Sequence, residues 1–290
     1  MAVSPRLIRR RIRSVTNTRK ITRAMQLVAA SKMRRAVSRT LASRRYAEAG
    51  WDIATSLTAG TGGSGHPLTT VRDERASVVI LITSHRGLAG GLNANMLKCA
   101  FSAVTDMEGR GSAVTFVTVG RKGEEALRRR SARILASFAT HGDLPSFADA
   151  RAISRLAREE FVAGRADRVY LAFPDFVSAI AQRPLVREIL PIRLDAATPV
   201  RRGADESRFE PSAPDVLGSV LPAVTDVAVY QALLEASASE HAARMLAMQN
   251  ATDAAGDMID DLSFTFNQAR QAAITREISE IAAGKAAIEQ

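Results

Sequence analysis

The chain has 290 residues, 46% hydrophobic and 24% charged, with aromatics at 5% and one cysteine. These values suit a folded protein and exclude a disordered chain, an internal disulfide framework around Cys99 and an uninterrupted apolar run of the roughly 18 to 20 residues that span a bilayer. The net charge of +10 is uneven: residues 1–47 hold 14 Arg or Lys and no Asp or Glu, whereas from Glu235 onward nine acidic residues face four basic ones. An anionic partner for the basic arm is therefore expected, whether nucleic acid, lipid surface or acidic protein.

The first predicted element is a single helix from about Pro5 to Leu57, interrupted by neither Pro nor Gly except Gly50. Pro5 suits its first turn, and Ile8, Ile12 and Val15, then Ile21, Met25 and Val28, recur at spacings of four and three. The preceding MAVSPRLIRRRIRS has no apolar stretch behind its charges and does not read as a secretion signal. GTGGSGHP (60–67) ends the helix as a flexible linker.

From residue 75 the period changes. ASVVILIT (76–83), AVTFVTVG (113–120), RILASFA (133–139), DRVYLAF (167–173) and LVREILPIRL (185–194) read as strands, and residues 93–107 and 147–164 as helices between them. Strands alternating with helices predict an α/β domain, a mostly parallel, Rossmann-like sheet covered on both faces. The polar RRGADESRFEPSAP (201–214) follows, and helical patterning then resumes to about Ile288. Pro222 is expected to kink or restart this helix. Ala255, Ile259, Leu262, Phe266, Ala269 and Ala273 alternate by four and three, the pattern of a two-helix seam, with Gly256 a tolerated weak point. The expected division is therefore 1–59 N-terminal helix, 60–74 linker, 75–200 α/β domain, 201–214 connection and 215–290 C-terminal helix.

Lengths set an expectation about the chain's end. At about 1.5 Å per residue the first helix is roughly 75 to 80 Å long and the last roughly 100 to 110 Å, against a central domain of about 35 Å. The two helices are expected to pair antiparallel from a shared base. The longer one would overhang by about 20 residues, RQAAITREISEIAAGKAAIEQ, with an apolar stripe of Ile274, Ile278, Ile281 and Ile288. A lone helix of that length is marginal in water. Insertion into another protein covers it; self-association or a shorter, bent helix is the other reading.

Few motifs carry chemistry. SHRGLAGGLNANM (84–96) stands where phosphate loops stand, but its glycines match neither GxxxxGK[ST] nor GxGxxG. It reads as a tight strand-to-helix turn with Asn93 as N-cap. His66, His85, His141 and His241 lack metal-ligand spacing, no catalytic constellation emerges, and no cofactor or metal is expected. RLIRRRIRS (6–14) could meet phosphates, which leaves a nucleic-acid-binding protein as the alternative function. It lacks aromatics for stacking on bases, and a solvated coiled-coil face answering the acidic arm fits it as well. Met25 and Met33 read as seam packing.

IRSVTNTRKITRAMQLVAASKMRRA (12–36) resembles the N-terminal signature of the γ subunits of F-type ATP synthases. Residues 239–284, SEHAARMLAMQNATDAAGDMIDDLSFTFNQARQAAITREISEIAAG, resemble their C-terminal one more closely still. RGLAGGLN (86–93), THGDLPSF (140–147) and RFEPS (208–212) fall where that family has similar words, so the likeness spans the chain in order. It implies a non-catalytic rotor: a long antiparallel coiled coil of N- and C-terminal helices plus a central α/β domain, coupling rotation of the membrane c ring to the catalytic β subunits. The implied partners are the α and β subunits around the tip, the ε subunit and the c-subunit ring, with no nucleic acid, at the cytoplasmic face of the bacterial inner membrane. Matching motifs imply contacts of Met25, Arg270, Gln271, Thr275 and Glu277 with the α/β ring, Arg270 by charge-assisted bonds, and of Phe209 and Glu210 with the c ring. His85 and Ala89 depart from the family's Asp and Cys, and AFPDF (172–176) from its Tyr-Asn pair. No cysteine-bearing regulatory insert of the chloroplast type is present.

Overall fold

The computed structural model describes residues 5–60, 66–139, 144–192 and 213–288. Most of the linker, the connection at 201–212 and the residues Phe209, Glu210 and His141 lie outside them. The elements are α1 (Pro5–Gly60), a 3-10 turn (Pro67–Thr69), β1 (Ala76–Ile82), α2 (Leu92–Gly109), β2 (Ala113–Val119), α3 (Arg121–Arg129), β3 (Ile134–Phe138), α4 (Phe147–Val162), β4 (Arg168–Phe176), β5 (Gln182–Leu190) and α5 (Ala213–Ile288). They form two compact units, residues 1–28 with 245–290 and residues 29–244.

In the larger unit the sheet order is β3-β2-β1-β4-β5. The first four strands are parallel, and β5 returns antiparallel beside β4, Phe176 opposite Gln182. β1 explains the two-sided core. Alternate side chains point to opposite faces, so a strand apolar at every position is buried on both. Val78, Ile80 and Ile82 join α4 (Ile153, Ala157, Phe161) and the start of α5 (Leu221, Val224, Leu233). Val79 and Leu81 join α2 (Met96, Ala100, Val104) and Leu127 of α3. Burial of each such side chain is worth about 1.5 to 3 kcal/mol.

α3 was not anticipated. Its RKGEEALRR is polar and contains Gly123, and only Gly123 and Leu127 are buried. A helix this short shows too few apolar residues for its period to be read. Gly123 is required by packing, since an added Cβ would meet the Thr83 hydroxyl at 2.9 Å. The N-terminus of α4 is set by a capping box: Ser146 Oγ accepts from the Asp149 N–H, and the Asp149 carboxylate accepts from the Ser146 N–H at 2.9 Å.

α5 runs through Pro222 without a restart. Arg158 of α4 donates to the Pro222 carbonyl at 3.0 Å and pairs with Asp226, which also accepts from Ser154. These bonds hold the early turns of α5 on α4. One 18-residue stretch of α5 reaches a mean hydropathy of 1.4, enough by length and composition to cross a membrane, and half of it is buried within the protein. An all-round apolar helix is a core helix when its neighbours cover it, as the sheet and α4 do here.

Candidate functional site

Two regions are candidates for a site, the loop after β1 and the paired ends of the long helices. The loop is closed. Asn93 is not its N-cap: Gly91 takes that position without a side-chain bond, and Asn93 lies one residue inside α2. Its carboxamide turns back instead, accepting from the Ser84 N–H at 3.1 Å and donating to the Ser84 hydroxyl at 2.7 Å. Arg244 of α5 donates to the carbonyls of Gly87 at 3.2 Å and Arg86 at 3.4 Å. A loop whose carbonyls point at a guanidinium presents no amide cradle for phosphate. Ala89 is buried and His85 exposed. Among the described residues no group of three His, Cys, Asp or Glu could hold a metal ion.

The smaller unit holds the helix pair. Arg9 lies over the Phe266 ring at 5.3 Å. The Arg19 guanidinium covers Gly256, within 3.6 Å of where a Cβ would be. The hydroxyls of Thr22 and Thr252 bond at 2.8 Å in a buried setting. In each pair one number rises as the other falls, with sums of 274 or 275, so α1 and α5 are antiparallel here. The register places Pro5 opposite Arg270. No described residue of α1 reaches residues 271–288, and this is the expected overhang.

The two halves of the apolar series on α1 are buried differently. Ile8 is buried and Ile12 and Val15 are half-buried, but Ile21 is 60% and Val28 55% exposed. The residues facing α5 continue the seven-residue series 8-15-22 and 12-19, which brings in Arg19 and Thr22. Ile21, Leu27 and Val28 form an apolar flank on α1, and Met258 and Phe264 stand exposed on α5. Met25 is half-buried beside that flank, as is Met33 farther along α1.

Toward the tip, Arg270, Gln271, Thr275 and Glu277 are all exposed. Ile274, Ile278 and Ile281 are 47%, 62% and 73% exposed, and Ile288 lies in the last turn of α5. The basic side chains from Arg6 to Lys20 have no ionic partner within the described residues, and Asp253, Asp257, Asp260 and Asp261 do not answer them. The two arms do pair farther along α1, where Arg44 meets Glu235 of α5 at 3.1 Å. The unit offers a surface with unanswered positive charge, an apolar flank and a helix end that nothing described in the chain covers.

A family model described as ATP synthase matches residues 4–288. The ATP synthase gamma chain of Herpetosiphon aurantiacus is 43% identical, with 99% of both chains covered, and that of Moorella thermoacetica is 44% identical, covering 97% of this chain and 98% of its own. Among solved structures, a chain of the Tetrahymena thermophila mitochondrial ATP synthase central stalk/c-ring aligns with TM-score 0.62 and 27% identity, over 80% of this chain and 99% of that one. A chain of the Euglena gracilis mitochondrial ATP synthase OSCP/F1/c-ring assembly aligns with TM-score 0.72 over 98% and 94%, and at 20% identity it speaks to the fold.

Proposed function

The chain belongs to the family of ATP synthase γ chains, and from that membership we propose that it works as the enzyme's central-stalk rotor and performs no chemistry itself. Rotation of the c-subunit ring turns the paired helices, and their asymmetric surface drives the catalytic β subunits through successive conformations. The α and β subunits enclose the end of α5 and the apolar flank of α1. The ε subunit and the c ring hold the sheet-bearing unit and the connection containing Phe209 and Glu210. The complex stands at the cytoplasmic face of the bacterial inner membrane.

The observation that carries this reading is the uncovered end of α5. Residues 271–288 form helix beyond the reach of α1, with isoleucines facing out. An isolated helix of that length is marginal, and an exposed apolar stripe signals association, so a surrounding partner accounts for both. Met25, Arg270, Gln271, Thr275 and Glu277 are the residues assigned to contact that ring. Their exposure, or half-exposure for Met25, is compatible with it.

Reconstitution tests the proposal. Purified chain mixed with α and β subunits yields an ATP-hydrolysing complex, and a chain lacking residues 271–290 assembles or couples less well while its sheet-bearing unit remains folded. Failure of the full-length chain to co-assemble would remove the reading.

A further inference from the structure

β1, β2, β3 and β4 run parallel, so the loops that enter them lie at one end of the sheet. Each of those loops carries an exposed arginine: Arg75 before β1, Arg110 before β2, Arg130 and Arg133 before β3, Arg165 before β4. Arg128 and Arg129, also exposed, close α3 beside them. Adjacent strands stand about 4.8 Å apart, so the entry loops make a row of about 15 Å. The carboxylates that hold these loops are half-buried and already bonded. Asp167 accepts from the Arg75 and Ala76 N–H groups at 3.0 Å. Glu74 accepts from Ser77 and Tyr170 at 3.0 Å and pairs with Arg110 at 3.4 Å, and Glu160 pairs with Arg165 at 2.8 Å.

Among the described residues Arg75, Arg129, Arg130 and Arg133 form no ion pair. Two of them are nevertheless held in place. Arg129 Nε donates to the Glu125 carbonyl at 3.2 Å, and the Arg130 guanidinium rests 4.0 Å from the Phe101 ring centroid. The exposed acids at this end, Asp73, Asp106, Glu108 and Glu159, are outnumbered by the exposed arginines. Val71 and Val162 stand 64% and 51% exposed at the same end. Arg72 brings their neighbourhoods together by donating to the Phe161 carbonyl at 2.7 Å.

We propose that this end of the sheet is a docking surface for an anionic lipid bilayer, its arginines set against lipid phosphates. The direction it faces rests on the rotor reading. Leu190 pairs with Val169, so β5 finishes at this end, and the connection with Phe209 and Glu210, assigned to the c ring, starts from it. The opposite end is occupied, because Arg244 of α5 holds the loop after β1 there. Guanidinium groups bind phosphate oxygens in pairs and shed water more readily than ammonium groups do. A basic surface with scattered apolar side chains suits the headgroup layer. Nucleic acid fits less well: Phe101 and Tyr170 are half-buried, and no described aromatic is exposed at this end to stack on bases.

The test is flotation with vesicles of phosphatidylcholine alone and of equal parts phosphatidylcholine and phosphatidylglycerol. It uses the full-length chain carrying Arg10→Gln, Arg11→Gln and Arg13→Gln, which weakens the basic arm as a rival, and the complex assembled with α and β subunits. Assembly and ATP hydrolysis report on the rotor reading and flotation on the lipid contact, so the two fail separately. The chain should float with the mixed vesicles only, and about 1 M salt, which screens charges beyond roughly 3 Å, should release it. Each arginine near such a surface is worth about fivefold in binding, so adding Arg129→Gln, Arg130→Gln and Arg133→Gln should weaken it about 100-fold. Lys at the same three positions should keep most of the binding. Arg75→Gln alone should cost about fivefold and decides the matter if the triple change does not fold. Equal flotation with both vesicles, or binding unmoved by these Gln substitutions, overturns the proposal. Binding of soluble polyglutamate without binding of the mixed vesicles would give the surface to an acidic protein and overturn it as well.

Discussion

Gly120 illustrates how much one residue can fix. Its φ is +92°, and an added Cβ would stand 2.1 Å from the Thr83 carbonyl oxygen. The Thr83 N–H donates to Val119 O at 2.9 Å, and its hydroxyl accepts from the Gly123 N–H at 2.8 Å, so the end of β1 is fastened to the turn into α3. Gly120→Ala combines strain with overlap and should destabilise by roughly 3 kcal/mol, read as a fall in the urea midpoint at constant slope. Thr22 and Thr252 pose a subtler question. Either hydroxyl alone keeps a partner on its own helix, Arg19 O at 3.0 Å or Met248 O at 2.7 Å. Each Thr→Val change is therefore expected to cost about 1 kcal/mol and the double change less than the sum. Strict additivity in that double-mutant cycle would mean that the bond between the helices contributes nothing.

At the scale of elements, the sequence betrayed whatever was long or fully buried. Both long helices and all five strands follow from period and apolar runs, within a few residues at their ends. What escaped was decided by contacts distant in the chain. The α1 seam passes through Arg19 and Thr22, polar residues acceptable there only because Gly256 and Thr252 stand opposite. Apolarity alone selects Ile21 and Val28, which obey the same four-three spacing in a shifted register. Asn93 resembles a cap in sequence, but its amide finds Ser84 nine residues back. Ser239 and Pro174 lie 65 positions apart, and only the packing of α5 on β4 joins them. The overhang was legible because it depends on lengths alone. Since no described part of α1 faces residues 271–288, Ile278→Lys and Ile281→Lys should change the stability of the isolated chain by less than about 0.5 kcal/mol. The same changes should weaken assembly with the α and β subunits. A large loss of stability in the isolated chain would mean that the tip packs against the chain itself.

For the whole molecule, charge distribution makes the remaining prediction. Among the described residues, the positive side chains from Arg6 to Lys20 form no ion pair, and the carboxylates of α5 at 253, 257, 260 and 261 are exposed without pairing to them. Such a field attracts an acidic partner over about a Debye length, roughly 10 Å at 0.1 M salt and 3 Å at 1 M. Exposed charges of this kind act more on encounter than on the final complex, whose strength comes from the buried apolar contacts. Raising salt should therefore slow association of the chain with α and β subunits far more than it speeds dissociation. Replacing Arg10, Arg11 and Arg13 together by Gln should slow association at low salt and flatten its salt dependence. These three are exposed and take no part in the seam, so the unfolding midpoint of the chain should stay where it is. Stopped-flow assembly across a salt series, with wild type and the triple variant in parallel, separates the cases. An association rate indifferent to salt would leave the basic arm as a solvated face with no part in finding its partner.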